Sequence, residues 1–125
     1  MKKQLSTTNA PVAIGPYSQG VDVNGHVFVS GQLPIDSKTG KFVEGGIKGQ
    51  TLQIFKNIEA ILKEADMTLD NVVKTTVFLT DMADFTEMNE AYATQFSGTF
   101  PARSAFAVKG LPKNAAIEIE VIAMR

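Results

Sequence analysis

Asn24-Gly25, set between Val21-Asp22-Val23 and Val27-Phe28-Val29, constrains this chain more than any other short segment. Asn-Gly is the preferred pair for a two-residue type I′ turn, whose central residues both need positive φ and whose twist matches that of paired strands. The sequence therefore predicts an antiparallel hairpin with Val23 opposite His26, Val21 opposite Phe28 and Gln19 opposite Ser30. Side chains alternate across a strand. Tyr17, Gln19, Phe28 and Ser30 are thus expected on one face, although thirteen positions separate Tyr17 from Ser30.

Residues 34–45, with Pro34, Asp36 and Thr39-Gly40 running into Gly45-Gly46, read as a loop. A helix is expected from about 47 to 65, where Leu52, Phe55, Ile58 and Leu62 step at helical spacing and Ile61 and Ala65 widen the stripe. Lys56, Glu59, Lys63 and Glu64 fall on its solvated side. The β-branched run 72–79 reads as a mostly buried strand. Asp81 or Asp84 can cap a second helix over about 82–97, with Phe85, Met88, Tyr92 and Phe96 on one face and Phe100-Pro101 stopping it. Strands follow over 103–108 and 115–124, joined by a turn at 109–114. The order predicts a single α+β domain over 1–125, a mixed sheet with two helices packed on one face.

Composition narrows the chemistry. The 125 residues include no cysteine and one histidine, which excludes a disulfide framework, a thiol nucleophile and thiolate zinc ligands. Net charge is −1 with lysines and arginines scattered, so no nucleic-acid partner is expected. No P-loop, G-x-S-x-G, H-E-x-x-H or dinucleotide fingerprint is present, and neither cofactor nor metal is expected. No apolar segment follows Lys2-Lys3, and no apolar run reaches the ~20 residues that span a bilayer. A soluble, cytoplasmic protein without membrane partners is the expectation.

Against that background Pro101-Ala102-Arg103-Ser104 and Glu118 stand out. A guanidinium fork binds a carboxylate bidentately, and a nearby glutamate can move protons. If the 109–114 turn closes a direct hairpin, position 103 lies opposite about 120 and 105 opposite 118. Arg103 and Ala105 then share a face with Glu118 and Glu120. The alternatives are that the two strands are not neighbours, or that Arg103 pairs with Glu120 merely to blunt an edge strand. Gly15 and Gly31 suit turns or close backbone approach, and His26 beside the hairpin turn reads as solvated.

Taken together, Asn9-Ala10-Pro11, Ala13-Ile14-Gly15-Pro16-Tyr17-Ser18-Gln19, Ser30-Gly31-Gln32, Val73-Lys74-Thr75-Thr76-Val77-Phe78, Pro101-Ala102-Arg103-Ser104 and Leu111-Pro112-Lys113 with Ile117-Glu118-Ile119-Glu120 resemble the RidA/YjgF family of reactive-intermediate imine deaminases, essentially end to end. The resemblance implies a chorismate-mutase-like fold assembled as a homotrimer, with a site in each cleft between neighbouring chains. It implies hydrolysis of 2-imino acids such as 2-iminopropanoate and 2-iminobutanoate to 2-oxo acids and ammonia. Arg103 would then grip the substrate carboxylate and Glu118 position and activate water. Tyr17, Ser30, Gly31 and Asn89 would line the site. Many relatives carry a cysteine where this chain has Ala105. The competing expectation is a non-enzymatic trimer that binds small carboxylates and regulates a partner protein, using Arg103 but not Glu118.

Overall fold

Asn24 and Gly25 take φ values of 53° and 84°, and the flanking strands pair with Val23 opposite His26 and Val21 opposite Phe28, the register that the turn chemistry predicts. The computed structural model describes residues 1–125. In chain order its elements are β1 (Lys3–Leu5), β2 (Gly20–Val23), β3 (His26–Gln32), β4 (Ile35–Asp36), β5 (Lys41–Phe42), α1 (Gly46–Lys63), β6 (Val72–Leu79), α2 (Phe85–Ala93), β7 (Ala102–Ala107) and β8 (Ile117–Met124). Six strands form one sheet in the order β1-β2-β3-β8-β6-β7, while β4 and β5 make a separate small hairpin within the segment expected to be a loop.

The sheet is antiparallel except at β6 and β7, which run parallel. That pair is joined through α2, the crossover a parallel connection requires. The predicted β7–β8 hairpin does not form. β6 lies between the two strands, and residues 108–116 arch across its end, with Val108 N–H donating to the Leu79 carbonyl at 2.7 Å and Lys113 and Asn114 at positive φ. A connection of this length has the reach to pass over a neighbouring strand, which a tight hairpin turn has not.

One sheet face holds the core. Val27, Val29, Thr75, Val77, Leu79, Ile117, Ile119, Val121 and Ala123 are buried there, against Ile54, Phe55, Ile58, Ile61 and Leu62 of α1 and Met88 and Tyr92 of α2. Each large apolar side chain so buried contributes about 1.5–3 kcal/mol. Leu52, expected in the apolar stripe, is 43% exposed instead. Asn57 faces inward because the Leu33 and Ile35 carbonyls need a donor; its Nδ2 supplies both bonds, at 3.1 and 2.9 Å.

The second helix is shorter than the predicted 82–97: Met82–Asp84 form a single 3₁₀ turn, capped where the Asp81 carboxylate accepts from Ala83 N–H at 2.9 Å. The other sheet face carries no helix. Phe28, Phe106 and Met124 are exposed there, with Phe78 and Ile122 half-buried between them. No helix is long and apolar enough to cross a membrane.

Candidate active site

Arg103 lies on β7 beside Thr75 of β6, and therefore on the helix-side face, at the open edge of the sheet. There α2 reaches it. The Arg103 Nη1 donates to Asn89 Oδ1 at 2.7 Å. The guanidinium carbon lies 4.7 Å from the centre of the Tyr92 ring and 5.5 Å from that of Phe85, within cation–π range. The Tyr92 hydroxyl in turn shares a 2.7 Å hydrogen bond with Thr75 Oγ1.

No carboxylate reaches Arg103, since the chain's two ion pairs are Lys48–Glu90 and Arg125–Asp22. The edge-strand reading of an Arg103–Glu120 pair is thereby removed. A cavity of about 500 Å³ opens beside the guanidinium, lined by Asn89, Tyr92, Ala93, Phe100, Pro101 and Arg103.

Glu118 occupies the opposite sheet face. On β8 the alternation sends Ile117, Ile119 and Val121 to the core and Glu118 and Glu120 away from it. Between Val29 and Gln32 the β3–β8 ladder is interrupted by a bulge, which carries Ser30 and Gly31. The Glu118 carboxylate packs directly on Gly31, where any Cβ would overlap it. Burial, and secondarily the charge of Glu120, hold the Glu118 carboxyl above the usual carboxylate range.

Ser30 Oγ donates to the Ser18 carbonyl at 2.6 Å, which fixes the Tyr17 segment alongside the bulge. Tyr17 and Ser30 line one groove of about 450 Å³ with Phe28 and Glu120. Tyr17 and Gly31 also line a smaller adjoining crevice with Ile14 and Lys113.

The six residues singled out by sequence thus fall into two clusters. Tyr17, Ser30, Gly31 and Glu118 gather on the open face, whereas Arg103 and Asn89 meet at the edge on the helix side. The expectation that Arg103 and Glu118 share a face is corrected: the β6 register aligns Arg103 with Thr75 and Val121, and Glu118 with Phe78. Gln19, expected on one face with Tyr17 and Ser30, is buried, its amide bonded to Thr7 and Pro11 of the N-terminal segment. His26 is exposed at the hairpin end. The rings beneath Arg103 were not anticipated, although Phe85, Asn89 and Tyr92 stand at i, i+4 and i+7. No group of three or more His, Asp or Glu side chains is arranged to hold a metal ion.

Residues 7–125 match the sequence model described as Endoribonuclease L-PSP. This chain belongs to the RidA/YjgF family. A RutC family protein of Pyrococcus horikoshii is 51% identical to it, covering 100% of this chain and 99% of the relative. The 2-iminobutanoate/2-iminopropanoate deaminase of Mus musculus is 48% identical, covering 100% and 93%. Among solved structures, a Rid-family protein from Yersinia pestis superposes with a TM-score of 0.95 at 50% identity, each chain covered completely. The expected RidA/YjgF fold, one α+β domain with two helices on a mixed sheet, is the fold observed.

Proposed function

We propose that the protein hydrolyses 2-imino acids, with 2-iminopropanoate and 2-iminobutanoate as type substrates, to 2-oxo acids and ammonia in clefts between the chains of a homotrimer. The carrying observation is the separation of a cradled, carboxylate-free Arg103 from a desolvated Glu118 by the sheet itself. A site that uses both must draw them from two copies. The uncovered face with Phe28 and Phe106 offers the surface on which a second copy would pack. One chain then presents two different surfaces, an edge and a face, and such heterologous contacts make a ring when the rotation between neighbours closes. Relatives named as 2-iminobutanoate/2-iminopropanoate deaminases, 48% identical, support the substrate class.

In this mechanism the Arg103 fork takes the substrate carboxylate, with Asn89 steadying one guanidinium nitrogen. Glu118 of the neighbouring chain accepts a proton from water as its oxygen bonds to the imine carbon, and the nitrogen gains a proton. In the neutral carbinolamine so formed, the hydroxyl proton passes to nitrogen by way of Glu118, the C–N bond breaks as the C=O bond forms, and ammonia leaves a 2-oxo acid. A carboxyl held above the ordinary carboxylate range by burial is a stronger base than an ordinary glutamate and still returns the proton. Proton transfer of this kind supplies about 10²–10⁴-fold. Water is the nucleophile, so Ala105 costs the reaction nothing.

Two inactive variants test the shared cleft. Arg103→Ala and Glu118→Gln homotrimers should each fail to lower semicarbazide trapping of the imine released by an amino-acid oxidase. Mixed and reassembled one to one, they should recover about a quarter of parental activity, the fraction of clefts that receive both intact residues. Hybrids as inactive as their parents would refute the two-chain site. A parent protein that leaves trapping unchanged, with carboxylate binding that survives Glu118→Gln, would favour the carboxylate-binding regulator instead.

A further inference from the structure

Arg103 is held by one stripe of one helix. Phe85, Asn89 and Tyr92 recur at i, i+4 and i+7, positions that share a helical face, and all three touch the guanidinium. Asn89 takes an edge nitrogen, while both rings lie within cation–π distance of the guanidinium carbon. The remaining guanidinium donors have no protein partner.

Tyr92 differs from Phe85 in being anchored itself. It is 4% exposed, and its hydroxyl bonds the fully buried Thr75 at 2.7 Å. Thr75 is also the residue directly beside Arg103 in the parallel ladder. The circuit is closed: β6 backbone, Thr75 hydroxyl, Tyr92 phenol, Tyr92 ring, Arg103 guanidinium, β7 backbone. Burial raises the phenol above its ordinary pKa, so it stays neutral and meets Arg103 as a ring rather than as an anion.

We propose that Tyr92, fixed by Thr75, is a positioning residue that sets the direction in which the Arg103 fork meets the substrate carboxylate. This rests on Arg103 as the carboxylate anchor. An arginine on an edge strand has many rotamers, and a bidentate contact needs one of them. The Tyr92 ring closes one face of the guanidinium to water and to other rotamers, and leaves the unpartnered donors pointing to the cavity beside Phe100 and Pro101. Phe85 packs at greater distance and carries no hydrogen-bonding group, so it bounds the guanidinium without fixing it.

The test reads carboxylate binding separately from turnover. The Kd for 2-oxobutanoate, an unreactive carboxylate, is measured by calorimetry on the assembled protein, beside KM and kcat for the imine. Tyr92→Leu should raise Kd and KM about tenfold, as loss of a desolvated cation–π contact implies, with kcat moved no more than about twofold. Tyr92→Phe keeps the ring and should return Kd to within about threefold of the parent. In an Arg103→Ala background Tyr92→Leu should change Kd no further.

A cooperatively melting Tyr92→Leu protein with parental Kd overturns the proposal, as does an equal loss in both backgrounds, which would make Tyr92 a packing residue only. Should Tyr92→Leu not fold, Thr75→Val carries the test: a Kd raised about threefold supports the proposal and an unchanged Kd overturns it. If Arg103→Ala itself leaves 2-oxobutanoate binding intact, the anchor reading fails, a different result from any of these.

Discussion

Replacing Gly31 by alanine should silence the protein while leaving it folded. Gly31 is absent from the positive-φ residues, so alanine is compatible with its backbone, and the obstacle is space alone. An added Cβ would overlap the Glu118 carboxylate and crowd its Cδ and Cγ. All three atoms belong to the far part of a side chain that borders the open face, so Glu118 can rotate away. The stability cost should therefore stay at or below the ~1–3 kcal/mol typical of overpacking. For a chain of this size 1 kcal/mol lowers Tm by about 3–5 °C.

The catalytic cost should be far larger, because a displaced carboxylate no longer meets the water. Between 10²- and 10⁴-fold is the usual worth of a positioned proton carrier, and we expect Gly31→Ala to lose at least about 10²-fold in kcat/KM. The assay is the oxidase-coupled semicarbazide trap, run beside a thermal melt. In a Glu118→Gln background Gly31→Ala should cost almost nothing more, since both changes remove one function. A Gly31→Ala protein with parental turnover, or one that loses as much again in that background, would refute the steric link between Gly31 and Glu118.

Arg103→Ala should abolish turnover at low substrate, with the fold intact by circular dichroism. The acid limb of the pH–rate profile should lie above the range of an ordinary glutamate, because the Glu118 carboxyl is raised by burial first and by Glu120 second; Glu120→Gln should move that limb to lower pH without bringing it back to the ordinary range. Because its folded-state pKa is raised, ionisation of Glu118 begins to cost the fold stability as pH rises above the ordinary glutamate pKa, and the cost is complete above the raised one, so Glu118→Gln should raise Tm at neutral pH and not in acid. Phe28→Glu on the uncovered face should elute as a monomer on size exclusion and lose activity, since Phe28 is 44% exposed in the single chain; an assembled, active Phe28→Glu protein would argue against packing through that face.

How far the sequence reveals the fold depends on the contrast between the two faces of each strand. In β8 isoleucine and valine alternate with glutamate, and the core side is unambiguous. The Asn24-Gly25 turn fixes the β2–β3 register in the same direct way. β7 offers no such contrast. Ala102, Ser104 and Phe106 lie on one side and Arg103, Ala105 and Ala107 on the other, so alternation alone does not reveal which is inward.

Period-2 patterning also says nothing about which strands are neighbours, and the lone parallel pair is dictated by the α2 crossover. A charged arginine therefore read as belonging with the glutamates, whereas it sits on the core side of the edge strand, over the rings of α2. Leu52 misled for a simpler reason: the inward place in that turn belongs to its neighbour Thr51, which stands four residues before Phe55 and whose buried hydroxyl donates to the Ile47 carbonyl at 2.7 Å.

Because the thickness of its own sheet stands between Arg103 and Glu118, the proposed cleft makes activity a property of concentration. A solitary chain carries every residue of the proposed cleft and yet cannot complete one. Specific activity should thus fall on dilution along the same curve as assembly, and a newly made chain should remain silent until it meets another. In the proposed trimer each copy lends its arginine to one neighbour and its glutamate to the other. A copy damaged at both positions would spoil two clefts of three, so a minority of defective chains should depress activity beyond their share of the population.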